Sequence, residues 1–180
     1  MYDIVVNPLG GKGKSLKALK AAEKIFAERG VEYTVHNNEY AGHATELARE
    51  LSRKPEAKIL VFGGDGSFNE VLNGIENFEN VTLGIVPCGT GNDFVRASGH
   101  PTKIKEAIDL ILKDNVGYID YIDVGSRRCL NVAGAGRRIA PLRHNEGFPR
   151  QTEILRVPHR HSHSRKVAQT PPHHRRQDYG

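Results

Sequence analysis

Three short stretches of this 180-residue chain carry the residue types that hold phosphate. Residues 60–74 read Leu-Val-Phe-Gly-Gly-Asp-Gly-Ser-Phe-Asn-Glu-Val-Leu-Asn-Gly. An apolar run, Ile59 to Phe62, has the pattern of a buried strand and stops at Gly63-Gly64-Asp65-Gly66. Ser67 then opens a helical pattern that puts Phe68, Val71, Leu72 and Ile75 on one face. A helix leaving a glycine turn presents unpaired backbone N–H groups, and the macrodipole adds about half a positive charge, which suits a phosphate. Glycine lets the backbone come close to a ligand. Asp65 places a carboxylate inside that anion site, where a bridging cation such as Mg2+ is the natural reason for it. Taken alone, the tetrapeptide reads equally as a tight turn with Asp65 or Ser67 as an N-cap.

Two further loops repeat the arrangement. Val81 to Val86 is an apolar strand that runs into Pro87-Cys88-Gly89-Thr90-Gly91-Asn92-Asp93-Phe94, whose polar side chains bond phosphate, ribose or metal-bound water. Ile4-Val5-Val6 runs into Asn7-Pro8-Leu9-Gly10-Gly11-Lys12-Gly13-Lys14, and a helix follows from about Ser15 to Arg29. Three such strand ends would converge on one edge of a parallel sheet, where open α/β folds place ligands. Neither common phosphate fingerprint is met. The Walker A pattern fails because Pro8 stands where Gly13-Lys14-Ser15 needs a leading glycine. Gly64-x-Gly66, Gly89-x-Gly91 and Gly134-x-Gly136 each lack the last glycine of a dinucleotide loop, having Asn69, Phe94 and Ile139 instead.

The elements that must position these loops alternate. Strands are predicted near 2–6, 31–36, 58–62, 82–86, 117–124 and 128–133, and helices near 15–29, 42–53, 67–77 and 103–113. Near-continuous apolar strands alternating with helices predict an α/β fold, a mostly parallel sheet with helices on both faces. Residues 1–136 are enough for one such core. They carry 16 Lys+Arg against 18 Asp+Glu, whereas residues 137–180 carry 10 against 3, so the net charge of +5 belongs to the tail. That tail holds six of the nine His and five of the nine Pro and has no apolar periodicity. It is predicted to be disordered, since it cannot bury enough surface to offset the entropy of ordering. The chain divides into a nucleotide-binding domain, 1–136, and a basic His/Arg/Pro-rich tail, 137–180. No apolar run of 18 residues and no signal peptide is present, which predicts a cytoplasmic protein. Cys88 and Cys129 make neither a disulfide framework nor a metal site, and Cys88 reads as a small filler.

The chain resembles the diacylglycerol kinase catalytic domain family, which includes soluble bacterial lipid kinases and sphingosine kinases. The resemblance rests on Asn7-Pro8 with the Gly10–Lys14 loop, on Gly63-Gly64-Asp65-Gly66-Ser67 with Asn69-Glu70, and on Pro87-x-Gly89-Thr90-x-Asn92-Asp93-Phe94, and runs from about Tyr2 to Gly136. The family usually has Thr at Ser67, a mild change that keeps the hydroxyl. It commonly has Thr four residues before the Gly of a Gly-Asp-Ala step; here Asn38 precedes Gly42-His43-Ala44, so Asn38 takes that nucleotide contact. The resemblance implies an NAD kinase/diacylglycerol kinase-like N-terminal domain, ATP and Mg2+ as cofactors, and transfer of the γ-phosphoryl group to a lipid hydroxyl such as that of diacylglycerol. It implies a place in phospholipid biosynthesis, at the inner face of the membrane. The backbone of Gly63, Gly64 and Gly66 and the Ser67 hydroxyl are assigned to the phosphates, and Asp65 acts through Mg2+. Gly89, Thr90, Asn92 and Asp93 close the other side of the nucleotide. Lys12 and Lys14 are candidates for phosphate charge, and Asn7, Asn69 and Glu70 complete the cofactor-binding set.

Family members continue into a second, mostly β domain that carries the lipid site and an acidic general base. After Asn131-Val132-Ala133-Gly134-Ala135-Gly136 the family pattern brings an apolar residue and then Asp, where this chain has Arg137-Arg138. The expectation is therefore a chain truncated after its first domain, with no general base of its own, a frameshifted or aberrant tail and low activity. Native peptides from 137–180 would sink the idea of an aberrant tail. Three alternatives stand beside the lipid kinase. One is a non-catalytic nucleotide-binding module. Another is a basic module that binds membrane or nucleic acid through its tail; specific nucleic-acid recognition is not expected, because no aromatic residues interleave the charge. The third is an NAD kinase-like enzyme sharing the Gly-Gly-Asp-Gly loop, which the Pro87–Phe94 loop argues against. The alternating His159, His161 and His163 offer weak Zn2+ or Ni2+ binding at most.

Overall fold

Strands rich in Ile, Val, Leu and Phe can be buried on both faces only if a helical layer covers each, and the computed structural model shows that arrangement. It describes residues 1–114, 116–119, 121–123, 125, 127–130 and, for the backbone, 165–168. Four strands, β1 (Tyr2–Val6), β2 (Tyr33–Asn37), β3 (Ala57–Gly63) and β4 (Val81–Pro87), pair in parallel in the order β2-β1-β3-β4. Val5 pairs with His36 on one side and Val61 on the other, and Val61 pairs with Ile85. Five helices connect or flank them: α1 (Lys14–Glu28), α2 (His43–Leu51), α3 (Asp65–Gly74), α4 (Asp93–Ala97) and α5 (Ile104–Leu112).

Successive strand residues point to opposite faces, so the sheet divides the core in two. Ile4, Val6, Leu60, Phe62 and Val86 pack against Ala18, Ala22 and Phe26 of α1 and Ile108 and Ile111 of α5. Val5, Ile59, Val61, Leu83 and Ile85 pack against Ala44 and Ala48 of α2, Phe68, Val71 and Leu72 of α3, and Phe94 and Val95 of α4. All four residues predicted for the buried face of α3 are buried, Phe68, Val71, Leu72 and Ile75. The α/β class, the parallel sheet and the two helical layers are as predicted.

Several element boundaries shift by one to three residues, and three differences bear on the site. Helix α3 starts at Asp65 rather than Ser67: Gly64, just past the strand, is the extended N-cap, and Asp65 becomes the first helical residue, where a carboxylate favours the dipole. Helix α4 was not predicted, being too short for a periodic signal. The predicted strand 117–124 is two pieces, β5 (Val116–Ile119) and β6 (Ile122–Asp123); β6 forms an antiparallel pair with β7 (Arg128–Cys129). Of the predicted strand 128–133, residues 131–133 lie outside the described residues.

Within the tail, for which disorder is expected, the structure describes only the backbone of Arg165–Ala168, as strand β8 between β4 and β5, antiparallel to β5 and parallel to β4 at Leu83↔Val167. The edge of β4 offers unpaired backbone N–H and C=O groups, and a short extended segment can pair with them without an apolar pattern of its own. The rest of residues 137–180, like the 136/137 boundary, lies outside the described residues. No helix among the described residues is long and apolar enough to cross a membrane.

Candidate functional site

The three glycine-bearing loops meet at the carboxyl edge of the parallel sheet. The Cys88 N–H donates to the Gly63 carbonyl at 2.8 Å, joining the loops after β3 and β4, and the Asn38 N–H donates to the Val6 carbonyl at 2.7 Å, joining the ends of β2 and β1. Gly64 and Gly89 touch backbone to backbone: a Cβ on Gly89 would stand 2.6 Å from the Gly64 Cα, and one on Gly64 would stand 2.9 Å from the Gly89 Cα. No side chain fits at either position. Asn92 locks the second loop with both ends of its amide, Oδ1 accepting from the Gly89 N–H at 3.1 Å and Nδ2 donating to the Gly89 carbonyl at 2.9 Å. Its own backbone is left-handed, φ 52°, which Asn tolerates better than most residues.

The first loop closes onto the second. Gly11, Lys12 and Gly13 are consecutively left-handed, and a Cβ on Gly11 would stand 2.2 Å from the Cys88 carbonyl oxygen. The left-handed backbone of Lys12 costs about 1–2 kcal/mol. The buried Ser15 hydroxyl donates to the Gly10 carbonyl at 3.2 Å, and Asn7 Oδ1 accepts from the Leu9 N–H at 3.0 Å. Burial pushes the Cys88 thiol up to about 11, against a smaller opposing effect of the Ser15 hydroxyl, so it stays a protonated filler.

No side chain caps the N-terminus of α1 or α3; at α1 the Lys14 N–H is already taken by the Gly10 and Gly11 carbonyls, and α3 presents its first-turn backbone donors at this edge. Asp65, by contrast, is engaged. Its Oδ2 accepts from the Asp93 N–H at 2.9 Å and its Oδ1 from the Phe94 N–H at 3.0 Å, so the carboxylate of one helix caps the start of another. The ideal Cβ position at Gly91 lies 3.5 Å from Asp65 Oδ2 and 3.6 Å from each Asp93 carboxylate oxygen. Both carboxylates thus flank Gly91. Among the described residues no group of three or more His, Cys, Asp or Glu could hold a metal ion. Two carboxylates fit a Mg2+ that keeps water and takes phosphate oxygens, not an all-protein cage.

Beside these acids opens a cavity of about 250 Å³ lined by Asp65, Phe68, Asn69, Asp93, Phe94, Cys129 and Leu130. The Phe68 and Phe94 rings stack at 5.1 Å. Asn69 Oδ1 is buried with no partner among the described residues, as are Asn38 Oδ1 and Glu70 Oε2. An unsatisfied buried acceptor costs about 1–3 kcal/mol, so these oxygens call for donors from outside.

Of the residues singled out in the sequence, the fold brings Asn7, Asn38, Gly63, Gly64, Asp65, Gly66, Gly89, Asn92 and Asp93 to one edge. Ser67 packs beneath Gly63, whose ideal Cβ would stand 2.7 Å from its Oγ. Asn69 lies a turn along α3 on the cavity wall, and the neighbouring Glu70 carbonyl accepts from the Thr45 hydroxyl at 3.0 Å. Lys12, Lys14 and Thr90 are exposed. Sequence reasoning missed the cavity's far wall. Asn73 clasps the backbone of Arg128, accepting from its N–H at 2.7 Å and donating to its carbonyl at 2.9 Å. The Arg128 guanidinium donates to the Ile75 carbonyl at 2.7 Å and lies over the Phe78 ring at 4.8 Å. Asn73 stands four residues after Asn69 on one helix, a spacing that hints at a shared face; nothing local marks Arg128.

An open α/β sheet with helix-opening glycine loops at its carboxyl edge is the class of protein this geometry defines. The Diacylglycerol kinase catalytic domain family matches residues 2–124, and the chain belongs to that family. It is 38% identical over 136 residues to a diacylglycerol kinase of Bacillus subtilis (strain 168), covering 74% of this chain and 45% of the relative. It is 34% identical over 135 residues to a diacylglycerol kinase of Staphylococcus carnosus (strain TM300), covering 74% and 44%. Among solved structures, a putative diacylglycerol kinase from Bacillus anthracis str. Sterne superposes with a TM-score of 0.57 at 33% identity, covering 71% of this chain and 47% of that one. The chain spans about half the length of the relatives it matches.

Proposed function

We propose that residues 1–136 form the nucleotide-binding domain of an ATP-dependent lipid kinase. The observation that carries this reading is the edge itself: two helix N-termini with no side-chain cap and three glycine loops in contact, with a carboxylate pair beside them. The backbone donors of Gly63, Gly64 and Gly66, with the Ser67 hydroxyl, take the ATP phosphates. Gly89, Thr90 and Asn92 border them, Lys12 adds charge, and Asn7, Asn38, Asn69 and Glu70 contact the nucleotide. Asp65 and Asp93 would hold Mg2+, which supplies charge neutralisation between the phosphate groups. The cavity suits the alcohol end of a lipid: Phe68, Phe94 and Leu130 receive its apolar stem, while the carboxylates of Asp65 and Asp93 and the Asn69 amide oxygen offer acceptors to a hydroxyl. In the transfer the lipid oxygen bonds to the γ-phosphorus, the bond to the β–γ bridging oxygen breaks, and ADP leaves. The hydroxyl proton goes to a base, a role assigned to none of the described residues.

Titration calorimetry with ATP, in Mg2+ and in EDTA, tests the reading. The expected result is binding that needs Mg2+ and disappears in Asp65→Asn. Labelled γ-phosphate arriving on added diacylglycerol would extend the reading to catalysis; transfer to NAD instead would move the chain to the NAD kinase class. Binding of ATP indifferent to both Mg2+ and Asp65 would overturn it.

A further inference from the structure

Cys129 and Leu130 close the cavity opposite α3, yet they follow from a ribbon, β6–β7, that forms a small sheet of its own through Ile122↔Cys129 and Asp123↔Arg128. A two-stranded ribbon is marginally stable at best by itself, so its place against α3 depends on other contacts. Asn73 supplies them. Its Oδ1 accepts from the Arg128 N–H at 2.7 Å and its Nδ2 donates to the Arg128 carbonyl at 2.9 Å, the two bonds that a neighbouring strand would make. The same Nδ2 donates to the carbonyl of Asn69 at 2.7 Å, one turn back on the cavity wall. The Arg128 side chain adds a second hold. Its Nη1 donates to the Ile75 carbonyl at 2.7 Å and to the Leu72 carbonyl at 3.4 Å, at the negative end of the α3 dipole. Its guanidinium lies 4.8 Å from the centre of the Phe78 ring and 5.8 Å from that of Tyr121, and the two rings stack at 5.3 Å. Helix α3 thus carries Asp65 at its start and the Arg128 clasp at its end.

We infer that Asn73 and Arg128 are positioning residues for the acceptor alcohol, the clasp between them setting the width of the cavity between α3 and β7. Neither side chain lines the cavity, so both act through their neighbours. Cys129 and Leu130 follow Arg128 directly in the chain, and freeing its backbone releases the wall that Leu130 offers to an apolar stem. The nucleotide edge is insulated from that change. Asn73 stands about 12 Å of helix from Asp65, and the Gly64–Gly89 contact does not involve the ribbon. The inference rests on the lipid-kinase reading only in naming the occupant as an alcohol with an apolar stem. The clasp itself is defined by its hydrogen bonds.

Calorimetric titration of the full chain with dihexanoylglycerol, a short-chain diacylglycerol, tests it beside the melting shift in Mg·ATP. Asn73→Ala should weaken dihexanoylglycerol binding on the order of 10-fold, equivalent to about 1.4 kcal/mol, and leave the Mg·ATP shift as in the unaltered chain. Arg128→Gln should also weaken it, and Arg128→Lys should restore part of the loss, since an ammonium still meets the last carbonyls of α3. Asn80→Ala is the control for a merely structural role. Asn80 makes a comparable side-chain hold on the Ser52 and Lys54 carbonyls at the far end of the sheet, so its loss should lower the melting temperature without touching acceptor affinity. Maleimide labelling of Cys129, located by peptide mass, should quicken in Asn73→Ala and slow when dihexanoylglycerol is bound. Unchanged acceptor affinity in Asn73→Ala would overturn the proposal, as would an equal loss in Asn80→Ala or a Mg·ATP shift that falls in step. If Asn73→Ala does not fold, Arg128→Gln decides, and affinity equal to that of the unaltered chain overturns it. The two readings fail separately. An unaltered chain that answers Mg·ATP but binds no dihexanoylglycerol sinks this inference alone; one that binds dihexanoylglycerol through the clasp but ignores Mg·ATP sinks the kinase reading alone.

Discussion

The two ends of the parallel sheet treat buried polar atoms in opposite ways. Towards the amino end of β1, the Asp3 carboxylate is 2% exposed and both its oxygens are taken, one by His36 Nε2 at 2.9 Å and the other by Lys54 Nζ at 2.7 Å. Burial on its own would raise its pKa, but the hydrogen bonds and charges of Lys54 and His36 outweigh that and hold it below the usual carboxylate range. Asn80 Nδ2 nearby donates to the Ser52 and Lys54 carbonyls, leaving its Oδ1 the unpartnered atom of that region. At the carboxyl edge, the starts of α1 and α3 carry no side-chain cap, Asn38, Asn69 and Glu70 keep buried oxygens without described partners, and Lys12 holds a left-handed backbone. One end is closed by its own residues. The other is held together by glycine contacts and leaves its donors and acceptors for something else.

The comparison predicts that substitutions at the two ends separate stability from ligand response. The largest stability effect is expected for Asp3→Ala, which strands His36 and Lys54. It should cost about 3 kcal/mol in urea unfolding and leave the response to Mg·ATP intact; an equal loss of that response would erase the distinction between the ends. Gly89→Ala should cost about 1–3 kcal/mol, because its Cβ collides with Gly64, and should abolish nucleotide binding in calorimetry by forcing the loops apart. A variant that still bound normally would show that the close approach has no part in the site. Asp65→Asn is subtler. It keeps one acceptor for α4 but turns an NH2 towards the other N–H, so it should cost about 1 kcal/mol while removing the Mg·ATP response.

The smallest effect concerns pH. His100 is buried and its Nε2 lies 2.9 Å from the Ile85 carbonyl. Burial lowers its pKa, only partly offset by that hydrogen bond, so the folded protein holds it neutral while the unfolded chain takes up a proton below about 6.5. Its contribution to stability is full above that pH and falls as the pH drops towards its depressed folded value. His100→Gln should flatten the dependence of melting temperature between neutral pH and pH 5. An unchanged slope would assign the dependence to other groups.

Much of this was legible in the residues. Runs such as Ile59–Phe62 and Val81–Val86 specify buried strands by themselves, and a strand ending in Gly-Gly-Asp-Gly specifies where a helix begins to within two residues. What the sequence could not disclose is which groups meet across the chain. Asp65 reads locally as an N-cap or a metal ligand; that it caps α4 depends on the Gly64–Gly89 contact, a fact of packing and not of spacing. Helix α4, five residues long, is held by that cap and by the burial of Phe94 and Val95 rather than by a periodic face. The pairing of Arg165–Ala168 with β4 and β5 likewise left no hydrophobic signature, because backbone hydrogen bonds carry it.

The central claim is that the carboxyl edge is a working nucleotide site, and thermal unfolding with and without saturating Mg·ATP tests it most directly. Ligand at about 100 times its dissociation constant adds roughly 2.7 kcal/mol, several degrees for a domain of this size. The account predicts that upward shift, and its absence in Asp65→Asn. A cooperative melt that Mg·ATP leaves unmoved would contradict it, showing a folded edge with the geometry of a phosphate site and no affinity for the nucleotide.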